Sequence, residues 1–143
     1  MASKNVETVR AAHESWNRRD FDAMMRDMAD NVVYHDQARN LTLNGKQNFK
    51  QWAQEWARAF SDAQITTERF IDAGDTVIAE MTVEGTNDGS FAGMPPTGRK
   101  MTLHYCEITH FNNTGRSISG SGYYDLYTIL TQLGLTQKLK AAA

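Results

Sequence analysis

Apolar residues in the first sixty positions recur every three or four places, and from position 63 onward they recur every two. Val6, Val9, His13 and Trp16 form one stripe, with Ser3 or Asn5 available as a cap, which predicts an amphipathic helix over about 4–18. A second helix starts at Asp20 with Phe21, Met24, Met25 and Met28 as its apolar face. The Asp30-Asn31 pair ends it before the short β-type run Val32-Val33-Tyr34-His35-Asp36. After Asn44-Gly45 a third helix sets Phe49, Trp52, Trp56 and Phe60 along one side.

The alternating half begins at Gln64. Residues 64–72 read as one strand, Gly74-Asp75 as a turn, and 76–84 as a strand with Val77, Ala79, Met81 and Val83 on one face. A loop over 85–98 leads to a long strand at 99–111, a hairpin turn at 112–115 and a return strand at 116–123. Leu126, Ile129, Leu130 and Leu133 predict a short last helix that Gly134 caps. Helices first and a meander second, without repeats or βαβ alternation, define an α+β domain whose curved antiparallel sheet wraps the N-terminal helices. A bent sheet closes imperfectly on straight helices, so an apolar pocket at one end is expected.

Composition narrows the partners. A chain of 143 residues fits one domain, and 41% hydrophobic with 22% charged residues is ordinary for a soluble globular protein. The net charge of −2 and the scattered lysines and arginines give no footprint for nucleic acid or an anionic membrane. Cys106 stands alone, no Cys/His spacing suggests a metal, and no apolar run approaches a membrane span, so a cytoplasmic setting is expected. The glycines of 85–98 precede no helix and match no phosphate-binding pattern, while Pro95-Pro96 stiffens the connection, which is expected at the pocket rim or a dimer edge.

Three segments carry a family resemblance. Gly85-Thr86 followed by Gly89-Ser90-Phe91-Ala92-Gly93-Met94-Pro95-Pro96-Thr97-Gly98-Arg99 is similar to the signature loop of SnoaL-like polyketide cyclases. Asp125-Leu126 through Leu130-Thr131-Gln132-Leu133-Gly134 resembles the family's Asp-x₄-Leu-x-Gln-Leu-Gly ending, and Tyr34-His35-Asp36 its Tyr-His-Asp segment. The resemblance implies the cone-shaped nuclear transport factor 2-like α+β barrel, a homodimer formed through the outer sheet face, and no metal or organic cofactor. It implies a small hydrophobic carbonyl or polyketide-like ligand. The wider group also holds hydroxylases, epoxide hydrolases, ketosteroid isomerases and silent binding domains, so chemistry must be argued from the site. One departure stands out: many members read Glu-His-Trp in the strand before the final aspartate, and this chain reads Ser119-Gly120-Ser121.

Aldol ring closure needs a base beside a carbonyl and an acid for the new alkoxide, and one carboxyl group can serve as both. Asp125 corresponds to the aspartate the cyclases use, although an aspartate before a leucine-rich helix is equally a capping residue. His104, inside the strand 99–111, is the second catalytic candidate if its face is the inner one. That face also holds Thr102, Cys106, Ile108 and His110; the opposite face holds Met101, Leu103, Tyr105, Glu107 and Phe111, and alternation alone cannot choose between them. Tyr34, His35 and Asp36 are weighed as a polar pocket mouth against a surface turn, with Asp36 a possible second carboxylate. Trp52 and Trp56 are candidates for an aromatic wall, Glu107 for substrate contact, and Tyr123 is preferred over Tyr124 by parity with Asp125. His13 reads as a satisfied core histidine.

Overall fold

The computed structural model describes residues 3–136. Helix α1 (Lys4–Asn17) opens on Ser3, whose side chain accepts from the Val6 amide at 3.2 Å, and buries Val6, Val9 and His13. Helix α2 is a single turn, Phe21–Met24, capped by Asp20. It was expected to run past Met28; instead strand β1 starts there and continues to Asp36. Pairing overrides the helical spacing: Met28 lies opposite Ser117, and the Arg116 guanidinium reaches the Arg26 and Met28 carbonyls at 3.4 and 3.5 Å.

Strand β2 (Leu41–Asn44) has no counterpart in the sequence reading and pairs antiparallel with β1. Helix α3 (Gly45–Ala59) buries Phe49, Ala53, Trp56 and Ala59. The meander then follows as β3 (Gln64–Asp72), β4 (Thr76–Thr86), β5 (Lys100–Phe111) and β6 (Ser117–Tyr124), and helix α4 (Leu126–Gln132) closes the described chain. The six strands make one sheet in the order β2-β1-β6-β5-β4-β3. The sheet is curved and open rather than closed into a barrel, and it is not wholly antiparallel, because β1 and β6 run parallel. No described helix is long and apolar enough to cross a membrane.

Helix α1 lies over β3 and β4, and α3 lies over β1 and β2. Three buried clusters result. One gathers Val6, Val9, Val77, Ala79, Met81 and Phe111 under α1, and a second gathers Met24, Met25, Tyr34, Phe49 and Ala53. The third joins Trp56, Phe60 and Phe91 to Met101, Leu103 and the leucines of α4.

The 85–98 loop is part of that third cluster, not a pocket rim. Asn87 is completely buried, and its amide donates to the Ala59 and Gly89 carbonyls at 3.1 and 2.9 Å while its oxygen accepts from the Thr97 amide and hydroxyl at 2.8 and 3.0 Å. Gly89 passes so close to α3 that a Cβ there would sit 2.0 Å from the Arg58 carbonyl oxygen. Phe91 is thereby pressed against Trp56 and Phe60, at ring distances of 5.2 and 5.5 Å. The motif that carries much of the resemblance is a plug on the end of α3 and the core beneath it.

Candidate active site

Alternation along β5 places Met101, Leu103, Tyr105, Glu107 and Phe111 on the inner face. A cavity of about 140 Å³ lies between that face and the helices, walled by members of all three clusters, including Met24, Tyr34, Phe49, Trp52, Trp56 and Leu103. The walls are mainly apolar. On one side Glu107 and Tyr105 of β5 meet Tyr34 of β1 and His13 of α1, and Arg26, Asp27, Ser117 and Ser119 also border the cavity.

These groups form a continuous chain. His13 stands between two carboxylates, with Nδ1 against Glu68 of β3 and Nε2 3.0 Å from Glu107. Tyr34 donates to the other Glu107 oxygen at 2.9 Å, and the Tyr34 and Tyr105 hydroxyls are 2.7 Å apart. Since Tyr34 has one proton and gives it to Glu107, its oxygen is free to accept from Tyr105. A ligand oxygen in the cavity can compete for that Tyr105 proton.

Burial opposes charge on His13, but the charge and hydrogen bond of Glu107, reinforced by Glu68, outweigh it and raise the imidazole to about 9. Burial likewise pushes Glu107 up, and His13 with the Tyr34 hydroxyl brings it below the usual carboxylate range. Both tyrosines are held well above the ordinary phenol range, first by burial and then by the Glu107 charge. At neutral pH His13 is an imidazolium, Glu107 a carboxylate and both phenols are neutral. Glu68 and Glu107 take opposite sides of the imidazole and do not converge on one point. No cluster suited to a metal ion occurs among the described residues.

Strand β6 makes room for the phenols. A Cβ on Gly122 would lie 1.8 Å from the Tyr105 hydroxyl oxygen and 2.6 Å from that of Tyr34, and one on Gly120 would lie 3.0 Å from the Tyr34 ring. The Ser-Gly-Ser-Gly run that departs from the family pattern is thus the surface on which the two rings rest.

Of the residues singled out in the sequence, Tyr34, Trp52, Trp56 and Glu107 line the cavity. Asp125 does not. It is the exposed N-cap of α4, accepting from the Thr128 amide at 3.2 Å and hydroxyl at 2.8 Å, and those bonds hold its carboxyl low. His104 is on the outer face of β5, exposed, 3.4 Å from the Thr82 hydroxyl of the neighbouring strand. His35 is on the same outer surface beside Thr42. Tyr123, opposite Cys106, is 46% exposed on that face, whereas Tyr124 points inward and stacks on Tyr105 at 5.2 Å. Asp36 is wholly buried behind the aromatic wall, accepting from the Trp52 indole and the Tyr124 hydroxyl, each at 2.9 Å, and from the Arg39 amide. It positions the wall and does not reach the cavity.

His13, Glu68 and Tyr105 enter the site without having been selected from the sequence. The available signal was a charged residue in phase with apolar ones: Glu68 with Phe70, and Glu107 with Leu103 and Phe111. Such a carboxylate must find a buried partner, and His13 on the apolar face of α1 is the one the fold supplies.

Helices packed on a curved sheet, with an apolar cavity and titratable groups at its wall, define the nuclear transport factor 2-like class. Within it, the SnoaL-like polyketide cyclase model matches residues 6–133, and the chain belongs to that family. Similar solved structures include IdmH from Streptomyces antibioticus, a candidate polyketide cyclase, at 22% identity over 92% of this chain and 99% of that one, with a TM-score of 0.79. AclR from Streptomyces galilaeus, a candidate hydroxylase, is 21% identical over 92% and 96%, with a TM-score of 0.80. A candidate SnoaL-like polyketide cyclase from Jannaschia sp. CCS1 is 20% identical over 91% of each chain, with a TM-score of 0.84. These likenesses establish the fold. No curated protein sequence matches.

Proposed function

We propose that this protein is an acid/base catalyst for a neutral, hydrophobic carbonyl compound, in its most concrete form closing a ring of a polyketide-like substrate by intramolecular aldol addition. The observation that carries the reading is a charged carboxylate linked to a phenol pair on the wall of a mainly apolar cavity. Glu107 takes a proton from the carbon between two carbonyl groups. The Tyr105 hydroxyl, backed by Tyr34, donates a hydrogen bond to the carbonyl oxygen on which charge develops. After the enolate carbon attacks the second carbonyl, the proton held by Glu107 passes to the new alkoxide, leaving the enzyme unchanged. A carboxylate held low by His13 is a weak base, so it suits a carbon acid already activated by two carbonyls, as in a β-dicarbonyl chain.

The test follows proton abstraction. The protein is incubated with ethyl acetoacetate and larger β-ketoesters in heavy water, and exchange of the central methylene is followed by proton NMR. Wild type accelerates exchange over buffer, and Glu107→Gln loses about 10²- to 10⁴-fold of that acceleration. Asp125→Ala and His104→Ala keep it. Full acceleration in Glu107→Gln, or its loss in Asp125→Ala, sinks the assignment. The family resemblance adds a homodimer built on the outer sheet face, where Ile118 and Tyr123 are exposed.

A further inference from the structure

His13 has two partners, and the reaction proposed above uses one of them. Its Nε2 lies 3.0 Å from Glu107, the base, while its Nδ1 is bonded to Glu68 of β3. The Glu68 side chain is 17% exposed, and His13 is its side-chain partner among the described residues. Both ring nitrogens of a charged imidazole donate, so the two glutamates hold the ring from opposite sides. The rest of the surroundings is apolar or already paired. Phe70 of β3 stacks on the ring at 6.3 Å, and Arg10 of α1 lies over Phe70 and pairs with Glu7. Strand β4 brings Val77, Ala79 and Met81, and α2 brings Met24, while Asp22 of α2 pairs with Lys50 at the surface. Tyr105 of β5 is joined to Glu107 through Tyr34 of β1.

Proton abstraction changes this balance. As Glu107 takes the substrate proton it becomes a neutral acid, and the negative charge moves to the substrate oxygen at Tyr105. Glu68 is then the glutamate that still faces the imidazolium, and a buried cation without a partner is costly. We infer that Glu68 is a positioning residue for the proposed reaction: through Nδ1 it holds the His13 cation in place during the interval in which Glu107 is protonated. The inference rests on the reading of Glu107 as the base. Glu68 is not among the residues that line the cavity, so it acts through His13 and leaves substrate contact unchanged. Its contribution grows as Glu107 loses charge, and an interaction that strengthens towards the transition state raises kcat rather than affinity. When Glu107 returns the proton to the new alkoxide, the original pair with His13 is restored.

Three proteins decide it: wild type; Glu68→Gln, which keeps the shape and an acceptor for Nδ1 without the charge; and Glu68→Asp, which keeps the charge one methylene further back. The His13 ring nitrogens are followed against pH by nitrogen-15 NMR, which needs no turnover. Deuterium exchange of ethyl acetoacetate gives kcat and KM, compared well below the lowest of the three His13 midpoints so that the imidazole is charged throughout. Wild type titrates at about 9. Glu68→Gln titrates lower, because one of the charges that sustain the imidazolium is gone, and its kcat falls about 10- to 100-fold, the effect of one charge-assisted hydrogen bond, with KM unchanged. Glu68→Asp lies between the two in both readings. A role in shape alone gives the reverse order, since glutamine replicates glutamate better than aspartate does. That reverse order, an unmoved midpoint in Glu68→Gln, or a loss carried by KM overturns the inference. Should Glu68→Gln fail to fold, Glu68→Asp is read against wild type, and a wild-type midpoint or kcat there overturns it equally. Full kcat in Glu68→Gln beside lost exchange in Glu107→Gln refutes this inference alone, whereas unimpaired exchange in Glu107→Gln refutes the base and this inference with it.

Discussion

His13 lies in a hydrophobic stripe yet carries charge, and its energetic contribution depends on pH in a determinate direction. Its folded pKa of about 9 exceeds the unfolded value near 6.5, so the stabilisation is fully present below about pH 6.5 and is lost as pH rises through 9. Full loss is on the order of 3 kcal/mol, using about 1.4 kcal/mol per pH unit between the two values. Glu107 acts oppositely: with a folded pKa below its unfolded one, its contribution holds above the ordinary glutamate range and fades as pH falls. Urea denaturation between pH 6 and 10 checks the first limb, and a flat profile in wild type contradicts it. His13→Leu removes the imidazole held between the half-buried Glu68 and Glu107 side chains and is expected to cost on the order of 3 kcal/mol. The same titration in that variant loses its alkaline slope.

At the scale of elements, two close approaches set the site and the core. Gly122→Ala puts a methyl group where the Tyr105 hydroxyl lies, so it displaces the phenol pair while leaving β6 in the sheet. Methylene exchange is expected to fall with little change in the urea midpoint, whereas a purely structural glycine would lower both together. Asn87→Ala has the opposite profile, because it strips several bonds from the plug against α3 and should destabilise by about 1–3 kcal/mol while sparing the cavity.

The period change at position 63, the limits of β3 and the two-residue alternation of β5 were legible because packing there agrees with local pattern. Met28 and strand β2 were not, since their conformation is fixed by pairing with partners distant along the chain. Asp125 was legible only as two roles, and the Thr128 amide decides for the cap. Which side of β5 faces inward could not be read, because both sides mix apolar and titratable residues. The helices supply the answer by covering Glu107 and leaving His104 exposed.

For the molecule as a whole, charge placement bears on what can enter. His13 and Glu107 form a paired imidazolium and carboxylate on the wall of a mainly apolar cavity, so a further charge buried there has no partner and benzoate should bind more weakly than acetophenone at neutral pH, as read by NMR titration of the cavity-lining residues. Equal affinities would mean that the cluster does not act on the ligand. The outer face bears the assembly question: Tyr123→Glu places a charge on the surface proposed for the dimer, and sedimentation is expected to give dimers for wild type and monomers for this variant, a monomeric wild type contradicting the proposal. The parallel contact of β1 with β6 has a consequence for synthesis on the ribosome. β6, the last of the described strands to be made, is an interior strand of the sheet, so β1 and β2 leave the exit tunnel early and wait, unpaired along one edge, until β6 has been translated. A nascent chain stalled before Ser117 therefore exposes two strand edges at once, and it is at that stage of translation that chaperone capture or aggregation is most to be expected.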